Sequence, residues 1–183
     1  MRWMFGLCAM VALAGCAQLQ ELSCANTDPL ALGERLGRQG ATQTDLSQEV
    51  AWCAQTSSPL RLDLVERGFA AGRRAYCTPS VAFENGEAGR PLRAICPREV
   101  MWELTEAHNR GQLVREIDRD LADAYRQLER LEARLRDHRN AQESGEDGQP
   151  SAADGRAIRR DIRRITRRIE RLEDRKFLLR AAF

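Results

Sequence analysis

Histidine is nearly absent from this sequence, and so are the motifs of the common hydrolases. His108 and His138 are its only histidines, which leaves little capacity for general acid–base catalysis near neutral pH. No GxSxG, HExxH or CxxC spacing occurs, so neither a serine nucleophile nor a zinc site is indicated. The sequence therefore favours a protein that is not an enzyme and has no cofactor, metal site or catalytic residue.

Aromatic residues and net charge are also low. Aromatics make up 5% of the 183 residues, so a large conventional core is not expected. The net charge is only +2 although 31% of the residues are charged, which argues against a nucleic-acid partner. The apolar run from about residue 3 to 13 is shorter than the roughly 20 residues that a membrane-spanning helix needs.

That short apolar run ends in the pattern of a bacterial lipoprotein signal peptide. Leu13-Ala14-Gly15-Cys16 forms a lipobox, at which the chain is cleaved and the cysteine acylated. Acyl chains on Cys16 would anchor the mature protein to a membrane, and Ala17 in place of an aspartate favours the outer membrane. The alternative is an ordinary secretory signal that happens to contain Cys16.

The mature chain keeps four further cysteines, which are Cys24, Cys53, Cys77 and Cys96. An exported chain meets an oxidising compartment, so two disulfides are the simplest expectation. Three connectivities are open. We favour Cys24–Cys53 with Cys77–Cys96, because each pair closes one compact unit.

Several local signals predict helix boundaries. Asp45 followed by Gln48 predicts one helix start, and Ser58-Pro59 predicts another. Turn residues are dense between the last two cysteines, so a loop is expected there. After Cys96-Pro97, one continuous helix over residues 98–138 is expected, with Gly111 as its weak point.

Glycines recur at helical spacing before that loop. They fall in two sets, Gly33, Gly37 and Gly40, and Gly68 and Gly72. Small residues four apart let two helix backbones approach closely, so we expect two short helices packed tightly together. Five aromatics in the cysteine-containing region either form its core or line a ligand pocket: Trp52, Phe69, Tyr76, Phe83 and Trp102.

These glycines and cysteines resemble a known family. The matching features are the run from Leu32 to Gly40, the block Gly68 to Pro79 with its Tyr76-Cys77-Thr78-Pro79, then Gly86, Gly89 and Cys96-Pro97. The pattern is similar to the uncharacterised Gram-negative envelope lipoproteins catalogued as domain of unknown function 2799. The resemblance implies an envelope location and a mostly helical fold, and it brings no established activity.

A heptad repeat occupies the rest of the chain. Apolar residues hold the a and d positions from Val114 to Leu135, and again from Ile158 to Leu179 except at Lys176, as in a coiled coil. Set head to tail, the two runs pair every a with a d, for example Leu128 with Ile165. This arrangement predicts an antiparallel hairpin, with charged pairs Asp120–Arg175 and Arg134–Asp161. An intermolecular coiled coil is the alternative.

The second heptad run carries an arginine stripe away from the seam: Arg160, Arg163, Arg164, Arg167 and Arg171. Such a stripe suits an anionic partner. The simpler interpretation is a solvated face in a genome that prefers arginine codons, since Lys176 is the only lysine.

Together these features predict an all-α fold, a small disulfide-bonded helical domain with an antiparallel coiled-coil hairpin arm. The predicted divisions are residues 1–15 (signal peptide), 16–28 (lipidated tether), 29–111 (disulfide-bonded helical domain) and 112–183 (hairpin). The favoured function is that of an outer-membrane-anchored periplasmic lipoprotein with a structural or protein-interaction role. Its partners would be the membrane, through the lipid anchor, and an envelope protein or the cell wall. A ligand-binding envelope lipoprotein is the alternative.

Overall fold

The computed structural model describes residues 18–144 and 151–181, and within those ranges every regular element is a helix. Residues 18–25 form α1. The other helices are α2 (Pro29–Arg38), α3 (Gln43–Cys53), α4 (Leu62–Tyr76), α5 (Pro79–Ala88), α6 (Arg98–Glu143) and α7 (Ala152–Ala181). The predicted all-α class is confirmed. The predicted signal peptide and Cys16 lie outside the described residues.

The chain forms two compact units. The first comprises Met1–Ala82 and Leu92–Thr105, and the second comprises Phe83–Pro91 and Glu106–Phe183. The second unit therefore includes a short segment from the middle of the chain as well as the long helices. The predicted boundary after residue 111 divides the chain in sequence order and stays a prediction.

In the first unit, α2 and α4 touch through their backbones. A Cβ atom on Gly33 would lie 2.0 Å from the Val65 carbonyl oxygen, and one on Gly68 would lie 2.0 Å from the Leu30 carbonyl oxygen. Glycine Cα–H groups thus face carbonyl oxygens across the crossing, a recurring contact between helices. The adjacent core contains Leu32, Leu36, Leu46, Val65 and Phe69.

Two disulfides close this unit. Cys24 is bonded to Cys53, which ends α3, and Cys77 is bonded to Cys96. The predicted pairing is confirmed.

Two predicted helix starts were wrong. The N-cap of α3 is Thr42, and Asp45 is the third helical residue of a capping box. The Asp45 carboxylate accepts from the Thr42 N–H at 2.7 Å, which satisfies a donor that the helix itself leaves unpaired. The helix expected after Ser58-Pro59 begins only at Leu62, and its cap residue Arg61 makes no side-chain capping bond.

The predicted loop between the last two cysteines was also wrong, because α5 fills most of it. Pro79 begins the helix, where its missing N–H costs nothing. Gly86 makes no turn: a Cβ there would lie 2.0 Å from the His108 carbonyl oxygen of α6. Gly111 of α6 is the counterpart, 2.1 Å from the Phe83 carbonyl oxygen by the same measure. This contact is made within the second unit. It keeps Gly86 and Gly111 inside helices, although glycine in a sequence otherwise indicates a turn.

The long part of α6 and the whole of α7 form the predicted antiparallel hairpin. Its seam buries Ile117, Leu121, Ala124 and Ile169, with Leu128, Ile165, Leu172 and Leu179 packed against them. The helix runs unbroken through Gly111, as predicted.

Among the described residues, neither predicted charged pair of the hairpin forms an ion pair. Asp120 lies 3.7 Å from Arg168, and Asp161 pairs with Arg164 of its own helix at 2.6 Å. Residues three or four apart on one helix are neighbours, so Arg164 reaches Asp161 without crossing the seam. Lys176, at a seam position, pairs with Asp118 of α6.

Candidate functional site

The residues that carry the family pattern each hold a part of the fold. The Tyr76 hydroxyl accepts from the Arg93 N–H at 3.2 Å. A Cβ on Gly40, whose φ is 74°, would lie 2.7 Å from the Tyr76 ring. The Thr78 hydroxyl accepts from the Val81 N–H at 3.4 Å, next to the disulfide of Cys77. This block therefore joins the end of α4 to the start of α5.

The end of α5 is fixed by a second set of polar contacts. Arg90 donates to the backbone carbonyl of Asn85 from its N–H, and to the Asn85 side chain from Nε, both at 2.8 Å. His108 Nε2 lies 2.8 Å from the Arg90 carbonyl oxygen. Gly89 permits the turn with a φ of 69°. These side chains hold the loop after α5 against α6.

Both histidines hold the main chain. His138 is buried and places Nε2 3.0 Å from the Ser151 carbonyl oxygen just before α7. Among the described residues, no three His, Cys, Asp or Glu side chains are placed to hold a metal ion.

One open depression lies on the first unit, with a volume of about 420 Å³. Its lining residues are Leu36, Asp45, Gln48, Glu49 and Trp52. The hydrogen bonds from the Thr42 N–H and hydroxyl hold the pKa of Asp45 below its ordinary value, so this carboxylate is charged at neutral pH. The depression thus combines carboxylates with an indole.

The five aromatics of this region divide between core and surface. Phe69, Tyr76 and Phe83 are buried. Trp52 is 59% exposed and Trp102 is 70% exposed. From the sequence, these five aromatics could either form the core or line a ligand pocket. Their burial places three of them in the core.

The arginine stripe lies on the solvent-facing side of α7. All five of its side chains are exposed, and four of them surround an open depression of about 490 Å³ with Asp161. Over its whole length α7 carries eleven basic residues and five acidic ones. The positive charge is therefore concentrated on this helix.

An exposed apolar pair on the same helix was not predicted from the sequence. Phe177 is 71% exposed and Leu178 is 69% exposed. They follow Arg163 and Arg164 by two heptads. They could have been found in the sequence, because large apolar residues are unusual at heptad positions that face away from the seam. No helix in the described part of the chain is long and apolar enough to span a membrane.

The fold defines a class: a disulfide-bonded, glycine-packed helical domain with a coiled-coil hairpin. Residues 30–113 match the family model described as "Protein of unknown function (DUF2799)", so the resemblance drawn from the glycines and cysteines is confirmed over these residues. No curated protein and no solved structure matches the chain.

Proposed function

We propose that this chain is an outer-membrane lipoprotein that faces the periplasm and uses its coiled-coil hairpin as an interaction arm. The observation that carries the proposal is the lipobox ending at Cys16. The two disulfides agree with it, because structural disulfides belong to oxidising compartments such as the periplasm.

The arm supports an interaction role. Thirty residues of α7 at 1.5 Å per residue give a rod of about 45 Å. Its seam is closed within one chain, which leaves charged outer faces for a protein or cell-wall partner. The residues of the family pattern have roles in folding, so the proposal assigns the chain no catalytic step.

Ligand binding by the first unit is the second candidate. The observation that favours it is the exposed Trp52 beside Asp45 and Glu49 in one depression. Carboxylates and an indole together suit a cationic group, through charge and cation–π attraction. If this candidate holds, Trp52→Leu removes ligand binding and leaves any partner of the arm in place.

Acylation is the first test of the proposal. In cells fed a labelled fatty acid, Cys16→Ser should lose the label and the mature chain should leave the membrane fraction. Cys8→Ser is the matched control, since Cys8 lies within the same predicted signal peptide. This variant should keep both the label and the membrane association. Label that persists in Cys16→Ser would rule out the anchor.

The arm is tested by photo-crosslinking in intact envelopes. A photoreactive residue in place of Arg126 or Arg130, on the exposed side of α6, should give one defined adduct. The same residue in place of Glu66, on the exposed side of α4, is the control. An adduct that forms only from position 66 would move the interaction site to the first unit.

A further inference from the structure

The arginine stripe and the exposed apolar pair lie on one face of α7. Phe177 and Leu178 stand two heptads beyond Arg163 and Arg164, so each shares a heptad position with one of them. The seam side of the same helix is already covered by α6. The outer face is thus arginine-rich for about three turns and ends in two large apolar side chains.

The opposite arm offers a comparison. Between residues 112 and 143, α6 carries seven arginines and eight acidic residues, so its charge is balanced. On the outer face of α7 the acidic residues near the arginine stripe are Asp161, which pairs with Arg164, and further along Glu170 and Asp174. A general preference for arginine would enrich both helices alike, and the excess on α7 therefore needs a separate explanation.

Guanidinium groups bind phosphate through paired N–H donors, and arginine holds its charge at any physiological pH. Exposed phenylalanine and leucine beside a basic helical face insert at the boundary between headgroups and acyl chains. An acidic protein would satisfy the arginines but would leave the apolar pair without a reason. A bilayer with anionic phospholipids satisfies both.

We propose that the outer face of α7 docks onto a membrane surface, with the arginine stripe on anionic phospholipid headgroups and Phe177 and Leu178 inserted at the interface. This inference rests on the proposed lipoprotein anchor, which keeps a bilayer within reach of the arm. Glu170 and Asp174 lie on the same face and oppose the attraction, so docking is weak and reversible.

The test uses the full lipidated chain in vesicles whose acyl chains carry bromine, a quencher of indole fluorescence. Phe177→Trp places an indole in the apolar pair, and Ala122→Trp on the exposed side of α6 is the matched control. The parent chain supplies the background from its own tryptophans. With phosphatidylglycerol in the bilayer, the indole introduced at position 177 should be quenched at low salt and released at high salt.

Charge is then removed from either arm. These changes are made in the Phe177→Trp background. Each arginine-to-glutamine change in the stripe should lower the ratio of docked to undocked arms about fivefold. The positions changed are Arg160, Arg163, Arg167 and Arg171. The same number of changes on α6, at Arg119, Arg126, Arg130 and Arg136, should have no effect. Asp174→Asn should raise the docked fraction.

Three outcomes would overturn the inference: equal quenching in pure phosphatidylcholine, no quenching in either bilayer, or equal loss from the α6 control. Binding of polyglutamate that depends on the arginine stripe, without quenching, would assign the face to an acidic polypeptide instead. A failed anchor is distinguishable, because the chain would then not associate with phosphatidylcholine vesicles at all.

Discussion

In the first unit, α2 and α4 meet through backbone atoms, whereas the long arms of the second unit meet through side chains. A Cβ on Gly33 has no space at all, with a carbonyl oxygen 2.0 Å away. In the hairpin, side chains such as Leu128 and Ile165 are half-buried along the seam. A side chain can change its rotamer, whereas two backbones in direct contact can separate only if a whole helix moves. Similar helix pairs therefore tolerate substitution very differently.

The largest expected effect is that of Gly33→Ala. Alanine favours a helix over glycine by about 1 kcal/mol, but here its Cβ would overlap the Val65 carbonyl oxygen and force the helices apart. We expect a loss of at least about 3 kcal/mol in the free energy of unfolding of the first unit. Tryptophan fluorescence during urea unfolding measures it, because the second unit contains no tryptophan.

Gly155→Ala is the matched control in the second unit. Its Cβ would meet a side chain, the His138 ring at 2.9 Å, and not backbone, so a small shift of that ring relieves the contact. We expect a change within about 1 kcal/mol. Equal effects of the two alanines would contradict the contrast between backbone and side-chain packing.

The next effect concerns the disulfides, which within the described residues occur only in the first unit. Replacing Cys24 and Cys53 together by alanine should lower the stability of that unit by about 3 kcal/mol, since the bond closes a loop with a sequence separation of 29. Far-UV circular dichroism, which the long hairpin helices dominate, should change little. An equal loss of hairpin helicity would show that the two units unfold together.

A smaller loss is expected from Leu128→Asp in the hairpin. The carboxylate would face Ile165 and neighbouring apolar groups, and because Leu128 is only half-buried we expect about 2 kcal/mol. Arg126→Asp on the exposed side is the control. Cysteines introduced at positions 128 and 165 should oxidise within one monomer, and crosslinks that form only between chains would show an oligomeric seam.

The smallest effects come from pH, and they differ in direction between the units. The capping bonds from Thr42 lower the pKa of Asp45 below 3.8, so their contribution is present above that value and is lost as the pH falls through the lowered pKa. In the hairpin, the hydrogen bond from the Tyr125 hydroxyl to Glu173 raises the pKa of Tyr125 above 10.0. That contribution is present below pH 10 and is lost as the pH rises through the raised pKa.

Carboxyl NMR titration and phenolate absorbance measure these two shifts. Thr42→Ala should return the Asp45 pKa toward 3.8, and Glu173→Gln should return that of Tyr125 toward 10.0. An Asp45 pKa that does not move in Thr42→Ala would remove the capping box as its cause.

The paired arms and the disulfides could be predicted from the sequence, because residue type and residue spacing are enough to indicate both. A heptad repeat fixes which side of each helix is apolar, and head-to-tail pairing then fixes the antiparallel register, so that Leu128 meets Ile165. Four oxidised cysteines allow few pairings. The spacing of Gly33 and Gly37 likewise indicated a close helix crossing, because a glycine in a helix has a cost that only packing repays.

Tertiary structure decided what local preference could not. Asn85 and Gly86 favour a turn in isolation, yet both lie in the helix α5, where Gly86 packs against the His108 carbonyl oxygen of α6 and the Asn85 side chain accepts from Arg90. Likewise, no periodicity within α2 or α3 shows whether Trp52 is covered, since exposure depends on which neighbouring helices reach it. Residue spacing alone was enough to predict the all-α class, the disulfides and the paired arms. The helical state of residues 79–88 and the exposure of individual side chains depend on contacts between distant segments, and only the folded chain supplies them.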